Sequence, residues 1–162
     1  MFDLDFDRRA LLAAGGAFAL AGFTGLAMPA RAAGLSATPS MRGGANNYIP
    51  GAKIVERIGG GGFWMSGTVR RAGDGAPLSG QRIQIWGHTT EGSERDLRSH
   101  GATLTDANGA FRLEMPQIVP ALGQAHAHLA YDSGEYDTVF LRPLLPNPKA
   151  ARLEAHFILQ PV

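Results

Sequence analysis

From Phe63 to Leu159 the sequence rarely runs more than about ten residues without a turn signal, and this punctuation limits what it can fold into more than any other feature. The turn signals include Ala72-Gly73-Asp74-Gly75-Ala76-Pro77, Asp106-Ala107-Asn108-Gly109, Asp132-Ser133-Gly134 and the prolines Pro143 and Pro146. Between them lie short apolar segments: Phe63 to Val69, Arg82 to Trp86, Ala102 to Thr105, Phe111 to Met115, Gln124 to Tyr131, Tyr136 to Leu141 and Arg152 to Leu159. The clearest ones alternate. Ile83 and Ile85 share one face while Arg82, Gln84 and Trp86 share the other, and Phe111, Leu113 and Met115 line up in the same way. No segment carries a convincing amphipathic helix. Arg152 to Leu159 reads as strand or short helix, and its place at the end of a series of strands favours strand. The expectation is an all-β chain, a single β-sandwich of about six to eight short strands over residues 63–162.

The preceding residues follow other rules. Residues 33–62 are rich in Gly, Asn, Ser and Pro and end in Gly59-Gly60-Gly61-Gly62, which predicts an extended, loosely structured arm with one short apolar segment at Lys53 to Ile58. Residues 1–32 read as an export signal: Arg8-Arg9, then an apolar Gly/Ala-rich run from Leu11 to Met28, then Pro29-Ala30-Arg31-Ala32 as a cleavage site. The paired arginines resemble the twin-arginine type, which implies the twin-arginine export machinery as a partner and a periplasmic or secreted mature chain beginning at Ala33. Gly and Ala make the run weakly hydrophobic, which favours cleavage over a membrane anchor.

Removing the signal takes away Arg8, Arg9 and Arg31 together with Asp3, Asp5 and Asp7, so the net charge of +1 is unchanged. That balance gives no basis for a nucleic-acid partner or an anionic membrane surface. Cysteine is absent, which excludes disulfides, thiol chemistry and thiolate–metal sites.

The chain has five histidines, and two of them stand one residue apart in Gly123-Gln124-Ala125-His126-Ala127-His128-Leu129-Ala130-Tyr131. On a strand, i and i+2 point to the same face, so His126 and His128 are expected side by side as half of a metal site, with Tyr131 on the opposite face.

Three stretches together resemble the intradiol ring-cleavage dioxygenases. GDGAPLSGQRIQIW (73–86) resembles their G-x-P-x-x-G-x-x-I-x-I-W segment, and HGATLTDANGAFRL (100–113) resembles their R-G-x-x-x-T-D-x-x-G-x-Y-x-F stretch. GQAHAHLAY (123–131) resembles the strand whose two histidines bind iron. The first two patterns also occur in transthyretin-like sandwiches, and the His-x-His strand makes the match specific. The resemblance covers about Phe63 to Phe140. It implies a sandwich, a non-haem iron centre (Fe3+ or Fe2+, with Cu or Zn as other occupants), a catechol-like aromatic substrate and molecular oxygen.

By the same resemblance His126 and His128 correspond to the histidine ligands. The family's two tyrosine ligands have no counterpart in Gly87 to Arg95 or in Pro116 to Gly123, and Gly123 stands where the family has an arginine. The chain is therefore expected to be a divergent member with altered coordination, in which His88 or His100 completes a three-histidine site suited to iron(II), copper(II) or zinc. Glu91 and Glu94 read as a solvated loop face, so no carboxylate ligand is expected and calcium and magnesium are disfavoured. His156 is expected to be a partly buried structural residue, Trp64 and Trp86 core, and Gln124 a group that orients a ligand or oxygen. The function expected is that of a metal-dependent, dioxygenase-like oxidoreductase. Its alternative is a non-catalytic periplasmic metal- or ligand-binding transthyretin-like module. Either is compatible with an oligomer.

Overall fold

The computed structural model describes residues 34–162; the segment expected to be an export signal, with its expected cleavage site, lies outside the described residues. Seven strands form: β1 (Phe63–Arg71), β2 (Arg82–Gly87), β3 (His100–Leu104), β4 (Ala110–Met115), β5 (Ala127–Tyr131), β6 (Val139–Leu141) and β7 (Arg152–Leu159). Among the described residues the only helical element is one 3-10 turn, Leu97–Ser99. The last segment is strand, as its position in the series suggested.

The strands make two sheets, one of three strands in the order β4-β1-β7 and one of four in the order β3-β2-β5-β6. All neighbours run antiparallel except β1 and β7, the first and last strands, which run parallel with Thr68 opposite His156. Gly67 permits that pairing, because a Cβ there would lie 1.6 Å from the Ala155 carbonyl oxygen.

The core lies between the sheets. Phe63, Met65, Leu113 and Phe157 from one meet Ile83, Ile85, Leu129 and Tyr131 from the other, and all are almost fully buried. The alternation expected of Phe111 to Met115 is realised, with Phe111, Leu113 and Met115 buried and Arg112 exposed. Asp106 forms the turn before β4, its Oδ1 accepting from the amides of Asn108 (2.8 Å) and Ala110 (2.9 Å).

Two expectations need correcting. The histidine strand begins at Ala127 rather than Gln124, because His126 makes only a single bridge, to Leu144. The arm, expected to be loose, is held along the sandwich. The Val55 amide donates to the Ala102 carbonyl (3.0 Å), that of Ala102 to Lys53 (2.8 Å), Ile58 to Glu114 (2.9 Å) and Met41 to Phe140 (2.7 Å). The arm buries Ala52 and Ile58. It forms no strand of its own, but it covers the outer face of the four-stranded sheet, which the alternation of β2 alone would leave to solvent. As a result Gln84 and Trp86 are as buried as Ile83 and Ile85.

Candidate metal centre

The covered face is built around Trp86. In the register of the sheet Trp86 lies opposite His100 on β3 and opposite His128 on β5. The three rings stack in a row, with centroids 5.5 Å apart on the His100 side and 5.1 Å apart on the His128 side, each pair within 10° of parallel (7° and 9°). The indole Nε1 donates to the Asn46 carbonyl of the arm at 3.0 Å, so the one polar atom of this buried ring is satisfied.

His126 and His128 do stand together on this face, ring centroids 4.9 Å apart. Their protonation follows from their partners. His128 Nδ1 lies 2.9 Å from the Gly44 carbonyl oxygen, and His126 Nδ1 lies 2.8 Å from that of Gln124. A carbonyl oxygen can only accept, so each Nδ1 carries hydrogen and each Nε2 of the neutral ring presents a lone pair. Gln124 thus orients a ring through its main chain, while its side chain turns away to donate to the Leu145 carbonyl at 3.1 Å.

Both Nε2 atoms converge on Glu94. Its Oε2 is 3.0 Å from His128 Nε2 and 3.8 Å from His126 Nε2, and the donor atoms of the three residues all lie within 4.8 Å of one another. Two imidazole lone pairs facing a carboxylate are acceptors facing an acceptor. Only a positive charge among them, a proton or a metal ion, makes the arrangement favourable. Donor atoms bound to one metal at about 2.1 Å, at angles from square to tetrahedral, lie roughly 3.0 to 3.4 Å apart. Glu94 and His128 already have that spacing at 3.0 Å, and Glu94 and His126, at 3.8 Å, would close to it by a small side-chain shift. The His128 side chain is wholly buried, whereas those of His126 and Glu94 keep 11% and 21% of their surface, so the group opens to solvent on one side. Burial is the chief cause that pushes the His128 pKa down, which disfavours a proton as the charge.

The reading of Glu94 as part of a solvated loop face is therefore wrong, and with it the expectation of no carboxylate donor. Glu91 does differ in role, accepting instead from the Gly60 amide at 3.0 and 3.1 Å. His88 and His100 do not join the group. His100 is 7% exposed and donates from Nε2 to the Glu94 main-chain carbonyl at 2.9 Å, while Gln84 Nε2 approaches its Nδ1 at 3.4 Å. Both its nitrogens are engaged and its effect is to pin the backbone of Glu94. His88 lies at the start of the same loop, where its carbonyl accepts from Val119 at 3.1 Å.

No tyrosine enters the group. Tyr48 packs its ring on Trp86, centroids 5.6 Å apart, and donates its hydroxyl to Asp132. Tyr131 is in the core on the opposite face, as expected, with Tyr136 edge-on to it at 5.9 Å. His156 is exposed rather than partly buried, its Nδ1 3.0 Å from Thr68 Oγ1, because its side chain points to the outer face of β7, which among the described residues is not covered at that position. Trp64 is half-buried on that same outer face beneath Arg112, whose guanidinium carbon lies 4.0 Å from the ring centroid; it is not in the core.

A sequence signal for Glu94 did exist. A strand carrying His-x-His next to the strand ending in Trp86 brings the loop leaving Trp86 over the histidines. That loop holds three carboxylates, Glu91, Glu94 and Asp96, as well as one histidine.

No protein-family model matches the chain, and no curated protein matches it in sequence. Solved structures do resemble it. The 3-chlorocatechol 1,2-dioxygenase of Rhodococcus opacus 1CP superposes with a TM-score of 0.58 at 19% identity, covering 80% of this chain and 73% of that one. For the hydroxyquinol 1,2-dioxygenase of Pseudomonas putida DLL-E4 the TM-score is 0.61 at 12% identity, with 79% and 68% covered. The dioxygenase domain of a dioxygenase carbohydrate-binding protein fusion from Streptomyces sp. SirexAA-E gives 0.58 at 16% identity, covering 78% of this chain and 99% of that domain. At these identities the likeness is one of fold, and the fold of this chain is that of the intradiol dioxygenases.

Proposed function

We propose that the protein is a metal-dependent oxidoreductase of the ring-cleavage dioxygenase type, acting with molecular oxygen on a catechol-type aromatic. Its metal would be held by Glu94, His126 and His128 in place of the histidine and tyrosine set of the family it resembles. The single observation that carries this reading is the convergence of two imidazole lone pairs on one carboxylate, each imidazole oriented by a main-chain carbonyl behind it. Two histidines and one carboxylate form the donor set of non-haem iron(II) oxygenases, so iron is the metal assigned, with copper and zinc as competitors for the same nitrogens. The metal would supply Lewis acidity, a template for a chelating substrate and one-electron chemistry toward oxygen.

The residues of the chain do the rest. Gly44 and Gln124 fix the tautomers, His100 and Trp86 hold the rings and the Glu94 backbone in place, and the arm keeps water from the buried side. In this reading residues 1–32 would direct export to the periplasm or outside the cell, as their paired arginines and apolar run suggest.

The test is the metal content of the purified protein by elemental mass spectrometry, wild type beside Glu94→Ala and the double variant His126→Ala/His128→Ala. The expected result is one iron per wild-type chain, lost in both variants. No metal in the wild type after reconstitution with iron, copper and zinc would sink the reading. Bound metal without oxygen uptake on a panel of catechols would instead identify a binding module that has kept the scaffold without turnover.

A further inference from the structure

A half-buried cation stands against this site with one buried N–H left unpartnered and no protein acceptor matched to it. Arg142 directly follows β6, its amide 3.2 Å from the Met41 sulfur of the arm and its Cδ near Gly43. Its guanidinium NH2 lies 3.3 Å from His126 Nδ1. That contact is not a satisfied hydrogen bond, because His126 Nδ1 already donates to the Gln124 carbonyl and has no lone pair to offer. Arg142 Nε is buried without a partner, and among the described residues no carboxylate lies within ion-pair reach of the guanidinium. Leaving a buried N–H of a cation unsatisfied is costly, so such a group in a functional site marks a missing acceptor. A guanidinium presents parallel donors in a planar fork, and the acceptor that matches the fork is an oxyanion such as a carboxylate.

The guanidinium stands at the Nδ1 side of the His126 ring, whereas the lone pairs converge on its Nε2 side, where Glu94 Oε2 lies 3.8 Å away. A single oxygen therefore cannot touch both, and an occupant that engages both must carry its anion apart from the oxygens that reach the metal. We propose that Arg142 is the anion-binding residue of the site, gripping a carboxylate that the substrate carries separately from its chelating oxygens. The proposal rests on the reading of Glu94, His126 and His128 as metal ligands and adds to it the charge of the substrate.

The experiment uses the full chain loaded with zinc, a redox-inert occupant of the same donor set, so that binding is read without turnover. Calorimetric titrations compare 3,4-dihydroxybenzoate with catechol, two probes that differ by one carboxylate, in the wild type, Arg142→Gln and Arg142→Lys. The expected result is at least tenfold tighter binding of the carboxylated probe by the wild type, no preference in Arg142→Gln and a reduced one in Arg142→Lys, with zinc stoichiometry unchanged in all three. A wild type that binds both probes alike, or neither, overturns the proposal, as does an Arg142→Gln protein that keeps its zinc and the full preference. In those cases bound zinc leaves the metal reading standing. Loss of zinc from both variants would make Arg142 a structural residue and overturn the proposal. A wild type that holds no zinc overturns both readings together.

Discussion

The outer faces of the two sheets start from the same kind of sequence and end in opposite states. On the three-stranded sheet, Trp64, Ser66, Arg112, Glu154 and His156 face solvent in whole or in part, and His156 is exposed. On the four-stranded sheet, Gln84, Trp86, His100 and His128 occupy equivalent alternating positions and are all buried. The difference lies in the arm, which lies over the face of the four-stranded sheet but meets the three-stranded sheet at its edge strands, at Glu114 and Ile158. Its carbonyls from Gly44, Asn46 and Ile49 accept from His128, Trp86 and Gln84, respectively. Polar side chains thus become buried, oriented and tautomerically defined on one sheet and remain ordinary surface on the other. A polar sheet face becomes a candidate site when a second layer supplies acceptors for it.

The two tryptophans give the sharpest test of that contrast. Trp86 is wholly buried and fills the space between two histidine rings, so Trp86→Ala should cost about 3–5 kcal/mol and loosen His128 as well. Trp64→Ala, on the open face, should cost about 1 kcal/mol or less, mostly its packing with Arg112. Urea denaturation of both variants measures the difference. Comparable losses would mean that the arm does not seal the face it covers.

The next effect in size concerns the arm itself. Gly44 sits so close to β6 that an added Cβ would lie 2.9 Å from the backbone of Phe140, and that backbone cannot give way as a flexible side chain would. Gly44→Val should lift this part of the arm and remove the acceptor behind His128 Nδ1. Loss of such an outer partner typically weakens metal binding about 10- to 100-fold, which competition with a chelator would read. Unchanged affinity would show that His128 does not depend on the arm for its orientation.

The same contrast explains what could be read from the residues alone. Strand identity and the inner faces were legible because period-2 alternation and turn chemistry are local. Ile83, Ile85, Leu113 and Tyr131 all lie where the pattern puts them. His126 and His128 were legible because a strand fixes the direction of i and i+2. The arm was not legible, because its hydrogen bonds run to strands far along the chain, such as Val55 to Ala102, and a Gly-rich segment has no periodicity to reveal them. Glu94 was missed for a related reason: a loop carboxylate reads as solvated until the strand it crosses is known. His156 was misjudged in the other direction, since neighbouring apolar residues do not say which face of β7 is covered.

The smallest expected effects separate the covered face from the turn after β1 by pH. On the covered face burial is the largest cause lowering the pKa of both His100 and His128 from the ordinary 6.5. In metal-free protein the unfolded chain therefore binds protons that the folded one refuses. Stability is constant above about pH 6.5 and falls as the pH drops below it toward the folded pKa values. On the three-stranded sheet, at the end of β1, the Arg71 guanidinium holds Asp74 down to about 2 from its ordinary 3.8. Here the sign is the same and the window is lower, with stability present above pH 3.8 and lost as the pH falls toward 2. This pair is solvent-exposed, so its contribution is small and screened by salt. Thermal melting of metal-free protein from pH 8 to pH 2 should show both windows. His100→Gln should shrink the upper one to the share of His128 and leave the lower unchanged. Asp74→Asn should shrink the lower one to the share of Asp96, which Arg98 also holds down, and leave the upper unchanged. A melting profile that neither substitution changes would mean that neither the covered histidines nor the turn after β1 sets the pH dependence of folding.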